Sequence, residues 1–317
     1  MIRLLSICLI ILFASLGIIS CKDDEPTKDF VLGKNRYTIT VESTEREYYV
    51  HVPHGYTGDT LTPVVFMLHG TGQGGLHMYD NSGWTEVGEE ENIITVFPSS
   101  LRFCIVDPDE GEKTTTKWNS VPAEWYPCTG VTLRDDIKFL NAVLDEVEER
   151  FNVDTKRVYL AGFSNGGQMA AKCTVQFSDR LAAVVEDAGS FYVDTTYTPL
   201  RKLPTLYMLG NEDYGPGGTG PTIPLSKMDS VLARTDIRAG KASLTHVKSF
   251  GLSSSYTMSG DTNTFVIATY PSLNPGSDAD YRFVYVNGLK HAYPNGTNHW
   301  MEAAKLHWAW FKQYRLE

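Results

Sequence analysis

Gly162-Phe163-Ser164-Asn165-Gly166-Gly167 sets a serine in the pattern G-x-S-x-G. Arg157 to Ala161 (RVYLA) ahead of it reads as a strand, and a helix is expected from about Asn165 through Cys173. In that strand–turn–helix context a serine hydroxyl is lifted above a sheet edge as a nucleophile. The glycines two before and two after have a steric reason: at so sharp a turn, side chains there would strike neighbouring chain. The helix start adds free N–H groups where negative charge would develop on a substrate.

Such a serine needs a base, and the base needs an orienting acid, in the chain order serine, acid, histidine. The run Leu206 to Leu209 leads into Gly210-Asn211-Glu212-Asp213, which makes Asp213 the first choice of acid. Glu212 and Asp187 are its rivals. Three histidines lie late in the chain. His291 follows the last strand in a loop, where an imidazole can swing over Ser164. His299 and His307 are placed at the start of, and inside, a final helix and read as surface or packing residues. His69 precedes Ser164, breaks the order, and reads as support for its own loop.

That loop, His69-Gly70-Thr71-Gly72-Gln73-Gly74-Gly75, follows the apolar run Val64 to Leu68. Its glycines allow backbone N–H groups to turn toward an oxyanion. One donor is expected from this loop and the second from Asn165, because it follows the nucleophile. A phosphate-binding P-loop is excluded by the lack of Lys-Ser/Thr. No Cys/His cluster has zinc spacing, so neither metal nor cofactor is expected.

The elements that must position these groups are legible as alternation and runs. Arg36 to Val41 and Glu47 to Val52 alternate partially and predict an antiparallel pair. Val64 to Leu68, Ile93 to Phe97, Arg157 to Leu160, Ala182 to Val185, Leu206 to Leu209 and Arg282 to Val286 are short apolar runs, as in strands covered on both faces. Ile137, Leu140, Leu144, Val147 and Phe151 recur at helical spacing, with Thr132 and Asp135 as a capping pair. A last helix is expected over about 298–314, facing inward through Met301, Leu306, Trp308 and Phe311. Alternating strands and helices predict an α/β fold with a mostly parallel central sheet and helices on both faces. Residues 214–280, rich in Gly, Ser, Thr and Pro, are expected to be an insertion at the surface near the site, with little core of their own.

Ahead of this, Arg3 and the apolar run Leu4 to Ile19 read as an export signal. Ile18-Ile19-Ser20-Cys21 resembles a bacterial lipobox, with Cys21 as the lipidated residue. The expected organisation is a signal over 1–20, a polar tether over 21–35 and one domain over 36–317. The location implied is an exported lipoprotein at the outer membrane or cell surface of a Gram-negative bacterium, or facing the periplasm. The membrane is touched through the anchor alone. The 317 residues carry 28 Lys plus Arg against 38 Asp plus Glu, so 28 − 38 = −10. That balance argues against a nucleic-acid partner. Of five cysteines, Cys8 goes with the signal and Cys21 is the anchor. Cys104 and Cys128 can bond after export, and Cys173 reads as a buried thiol.

His69-Gly70-Thr71-Gly72-Gln73, Ser82-Gly83-Trp84, Phe97-Pro98, Trp118-Asn119, Asp135-Asp136, the Ser164 elbow and His291-Ala292-Tyr293-Pro294 occur in that order. Together they resemble secreted α/β-hydrolase esterases of the group containing polyhydroxybutyrate depolymerases, feruloyl esterases and acetylxylan esterases. The resemblance covers about 36–315 and matches 214–280 poorly. It implies an α/β-hydrolase fold, a Ser164–His291–Asp213 triad, an oxyanion held by the N–H groups of Asn165 and Thr71, and an acyl-enzyme. The implied substrates are acetyl or small aromatic esters, among them feruloyl groups on plant polysaccharide. Trp84, Trp118, Trp125 and Tyr126 are candidates for stacking on sugar or feruloyl rings, or for anchoring core and loops. Thr71 stands where the group often has Cys, Tyr293 where it often has Trp, and Leu209-Gly210 where it often has His-Gly. A polyhydroxyalkanoate depolymerase, a catalytically silent glycan-binding lipoprotein and a peptidase remain as alternatives.

Overall fold

A computed structural model describes residues 30–107, 110–120, 126–192 and 195–316. The signal and most of the tether, with Cys21, lie outside the described residues. Phe30 already packs against the rings of Tyr56 and Phe151. The packed domain thus includes residues ahead of the expected boundary at 36.

The first hairpin is antiparallel as expected: β1 (Gly33–Val41) and β2 (Thr44–Val52) pair from Gly33–Val52 to Val41–Thr44. The continuous apolar runs become β3 (Thr62–Leu68), β4 (Ile94–Pro98), β8 (Val153–Phe163), β9 (Ala183–Asp187), β10 (Thr205–Gly210) and β13 (Tyr281–Val286). Two further strands, β11 (Thr257–Asp261) and β12 (Phe265–Tyr270), complete a ten-stranded sheet. Its order is β1-β2-β4-β3-β8-β9-β10-β13-β12-β11. From β4 to β13 all pairings are parallel, and both edges are antiparallel.

Alternation along the parallel strands splits the core into two layers, one on each face. Val64, Phe66 and Leu68 join one layer with α3 (Asp136–Arg150), α4 (Asn165–Gln176), α5 (Met228–Leu232) and α6 (Arg238–Phe250). Val65 and Met67 face the other layer, with α1 (Gly75–Asn81), α2 (Trp84–Glu91) and α7 (Ala303–Phe311). Two buried faces explain why these strands read as runs and not as alternation. This is the α/β-hydrolase fold.

Four expectations are corrected. Residues 214–280 are not a surface excursion: they supply α5, α6, β11 and β12, and Met228, Val231, Ala242, Phe250 and Val266 enter the main core. The cap of α3 is Asp135 alone, whose carboxylate accepts from Ile137 N and Lys138 N at 2.9 and 3.2 Å. The final helix starts later than 298, and Leu306 is exposed although Met301, Trp308 and Phe311 are buried. Finally, a stretch in which no strand was expected forms a small sheet of β5 (Arg102–Asp107), β6 (Gly111–Thr116) and β7 (Tyr126–Pro127) in the order β6-β5-β7. Cys104 and Cys128 are disulfide-bonded across it, closing a sequence separation of 24. In a chain-entropy account a loop of that length stabilises the fold by about 3 kcal/mol. Cys173 is a buried free thiol, pushed up by burial.

Candidate active site

The triad residues, the rival Asp187 and the Thr71 loop each lie at the carboxyl end of a parallel strand. The Thr71 loop follows β3, Ser164 follows β8, Asp187 ends β9, Asp213 follows β10 and His291 follows β13. Open α/β sheets place ligands at these ends.

Ser164 sits at φ 56° and ψ −119°, a strained position for a residue with a Cβ. The elbow glycines are forced by close approach. A Cβ at Gly162 would lie 2.1 Å from Gly166 O, and one at Gly166 would lie 2.4 Å from Leu68 O. Ser164 Oγ is 2.9 Å from His291 Nε2, and His291 Nδ1 is 3.0 Å from each carboxylate oxygen of Asp213. In the tautomer this allows, Nδ1–H donates to Asp213 and Nε2 accepts the serine proton. The Asp213 side chain is fully buried; Gly215 N–H donates to its Oδ1 at 2.8 Å, and the Arg238 guanidinium stands 4.0 Å away. Acid and histidine loops are locked together: Gly288 N–H donates to Asn211 Oδ1 at 2.7 Å, and a Cβ at Gly210 would meet Leu289 O at 1.9 Å.

No rival side chain is hydrogen-bonded to Ser164 or His291 among the described residues. Glu212 Oε1 accepts from the Thr222 hydroxyl. Asp187 holds the elbow through its backbone, its O accepting Ser164 N–H at 2.7 Å. Its carboxyl is fully buried and has no hydrogen-bond partner among the described residues. Burial first, and the charge of Asp213 second, raise its pKa well above the carboxylate range. His299 bonds Asn287 O at 3.0 Å, and His307 is buried with its Nδ1 3.4 Å from Tyr293 OH.

His69 supports its loop. One ring nitrogen, Nδ1, donates to Gly70 O at 2.7 Å, and Nε2 accepts from Ser100 N–H at 2.9 Å. Burial lowers its pKa to about 4 and that of His307 to about 3, against an ordinary 6.5. Unfolded imidazoles take protons below about pH 6.5, and these two folded ones do not until far lower. Stability they contribute at neutral pH is therefore lost as pH falls from about 6.5 to 4. Each withdraws up to about 1.4 kcal/mol per pH unit. The Tm is expected to drop steeply between pH 6.5 and 4.5, and His307→Phe should flatten that slope by about half. An unchanged slope in the variant would contradict the assignment.

Thr71 and Asn165 both line a cavity of about 550 Å³ that opens onto Ser164 and His291. Their backbone N–H groups have no acceptor among the described residues. A Cβ on Gly70 would lie 3.3 Å from Ser164 Cβ, so the loop passes directly against the nucleophile. Phe191, Tyr207, Tyr214 and Arg238 are among the other residues of the cavity walls. Sequence reasoning missed these four. Arg238 and Tyr214 come from the segment read as an insertion, and no local pattern marks them.

Two assignments are corrected. Trp84 and Trp118 are fully buried and line no part of this cavity. Trp84 Nε1–H donates to Tyr293 OH at 3.0 Å, and Trp118 Nε1–H donates to His69 O at 2.9 Å. Large apolar rings with an internal acceptor for their one polar group brace loops; they have no face left for a sugar. Trp125 lies outside the described residues, and Tyr126 is exposed on β7 away from the cavity lining.

Comparisons with known proteins agree with the resemblance read from the motifs. The prolyl oligopeptidase family matches over residues 127–237. A bifunctional acetylxylan esterase/xylanase of Neocallimastix patriciarum is 23% identical over 168 residues, 53% of this chain and 21% of that protein. Feruloyl esterase B of Piromyces equi is 28% identical over 172 residues, 53% of this chain and 29% of that protein. The chain therefore spans less than a third of the length of either relative. Among solved structures, an acetyl xylan esterase from Aspergillus awamori superposes with a TM-score of 0.56 at 15% identity, over 88% of this chain and 99% of that one.

Proposed function

We propose that this protein is a serine carboxylic-ester hydrolase that removes acetyl or feruloyl groups from plant polysaccharide. The observation that carries the reading is the hydrogen-bonded series Ser164–His291–Asp213, whose serine and histidine line a cavity together with Thr71 and Asn165. Ser164 Oγ attacks the ester carbonyl while His291 Nε2 takes its proton. The carbonyl oxygen becomes an oxyanion between the two N–H groups. His291 then protonates the leaving alcohol, and Asp213 balances the imidazolium throughout. Water, deprotonated by the same imidazole, attacks the acyl-enzyme and frees Ser164. The acetylxylan and feruloyl esterase relatives support the choice of acyl group.

The purified protein is expected to hydrolyse p-nitrophenyl acetate, then acetylated xylan or methyl ferulate ahead of hydroxybutyrate oligomers. No hydrolysis of any ester would sink the reading. The match to the prolyl oligopeptidase family favours one rival, a peptidase, so an amide substrate cleaved as fast as the esters would overturn it. A polymer substrate is consistent with export and a lipid anchor at Cys21, a part of the proposal that rests on the lipobox-like sequence. It fails if the mature protein's mass at Cys21 carries no lipid.

A further inference from the structure

Two oxyanion donors come from residues 71 and 165, on different elements, and nothing covalent holds them in mutual register. Catalytic donors must keep their places to within about 0.5 Å. The structure shows what connects them. Thr116 O accepts Gly72 N–H at 2.8 Å, and Lys117 Nζ donates to Thr71 Oγ1 at 3.3 Å. The ring of Trp118 lies 5.0 Å from that of His69, and its Nε1–H holds His69 O. On the other side, Trp118 N–H donates to Asn165 Oδ1 at 2.7 Å, and Asn165 Nδ2 donates to Ser120 Oγ at 3.0 Å and to Gln168 Oε1 at 3.1 Å. Five consecutive residues thus grip both halves of the hole.

The grip is itself anchored. Asn119 N–H donates to Asp136 Oδ2 at 2.7 Å, and the other Asp136 oxygen pairs with Arg46 at 2.7 Å in a buried ion pair. Lys172 Nζ holds Asn119 O at 2.8 Å. The chain just before the segment is β6, paired to the disulfide-bonded β5. The Asn165 side chain is buried and every hydrogen-bonding valence it uses goes to this segment or to Gln168.

We infer that residues 116–120 form a strut that sets the oxyanion hole, with the side chains of Asn165 and Trp118 as positioning residues. This rests on the hydrolase reading above. Asn165 then has two separable jobs, a backbone donor and a side-chain fastener. Asn165→Ala leaves the backbone N–H in place and removes only the fastener. Its expected effect on p-nitrophenyl acetate hydrolysis is a kcat about 30-fold lower with KM within about threefold, short of the 100- to 1,000-fold that follows loss of a whole donor. Inhibition by phenylboronic acid, whose serine adduct is tetrahedral and anionic, should weaken by a similar factor. Trp118→Phe keeps the ring over His69 and deletes one hydrogen bond, for a loss in kcat of about fivefold.

A role confined to stability would lower Tm and leave kcat and boronate affinity of the folded fraction unchanged, and that result overturns the inference. So does a kcat loss without weaker boronate binding. If Asn165→Ala does not fold, Ser120→Ala decides. It removes one acceptor of the Asn165 amide, and a kcat within 1.5-fold of wild type would then overturn the strut. An inactive wild type would instead be the failure of the hydrolase reading, so the two failures stay distinct.

Discussion

Ser164→Ala is expected to lower kcat on p-nitrophenyl acetate by about 10⁴- to 10⁶-fold, the loss seen when an acyl-transfer nucleophile is removed and only binding and oxyanion contacts remain. The geometry supports so large a figure because, among the described residues, no other hydroxyl is hydrogen-bonded to His291. The oxygen 2.9 Å from His291 Nε2 belongs to Ser164, and the rest of the elbow is glycine, phenylalanine and a buried asparagine amide committed elsewhere. Alanine keeps the positive φ and its strain, so the Tm should move by no more than a few degrees. Ser164→Gly separates the two consequences of the elbow. It is equally inactive, yet relief of a left-handed residue with a Cβ is expected to raise stability by about 1 kcal/mol. The check is kcat by release of p-nitrophenol together with thermal unfolding. A Ser164→Ala variant retaining more than a hundredth of wild-type kcat would mean that the nucleophile lies elsewhere.

What could be read from the sequence divides along a physical line. Strands β3, β8, β10 and β13 were legible because both their faces are buried, which writes a run of apolar residues whatever the neighbours are. Ser164, Gly162 and Gly166 were legible because backbone contacts near 2 Å admit no side chain, so the pattern is a local steric demand. Asp213 and His291 could be proposed from strand ends alone, since a loop after a parallel strand is where such a fold presents its side chains. The failures share a different cause. For Trp84 and Trp118 the sequence leaves sugar stacking and loop anchoring both open, because an indole has the same local sequence signature whether it faces solvent or braces a loop. Only the distant acceptors, Tyr293 OH and His69 O, decide between the two. Residues 214–280 lacked runs because β12 is covered less completely than the central strands and β11 is exposed throughout, so neither shows the pattern of a doubly buried strand. The pocket residue Arg238 arrives with α6 and carries no pattern that sequence alone could attach to the site.

The second large effect separates Asp213 from Asp187. Asp213→Asn is expected to reduce kcat by about 10³- to 10⁴-fold, because an amide favours the wrong imidazole tautomer. Here the direction follows from a single contact. Gly215 N–H occupies Oδ1 of Asp213, so an asparagine keeps its oxygen there and turns Nδ2–H toward His291 Nδ1. The imidazole must then accept at Nδ1 and carry its proton on Nε2, where it can no longer receive the serine proton. Asp187→Asn should behave in the opposite way. Burial first, and the Asp213 charge second, push the pKa of that carboxyl well up and favour its neutral form, for which a neutral amide is a close substitute, so kcat should stay within about threefold. Stability gives an independent sign. Above the ordinary carboxylate pKa the unfolded chain ionises Asp187 and the folded chain does not, so this residue destabilises the fold increasingly as pH rises. Asp187→Asn should therefore raise Tm at pH 7 to 8 and leave it nearly unchanged near pH 3, where the carboxyl is protonated in both states. Thermal unfolding at the two pH values and kcat at pH 7.5 make the comparison. If Asp187→Asn proved the inactive variant and Asp213→Asn the active one, the acid would sit at the end of β9, and the 3.0 Å contacts between Asp213 and His291 would serve only to hold the loops together.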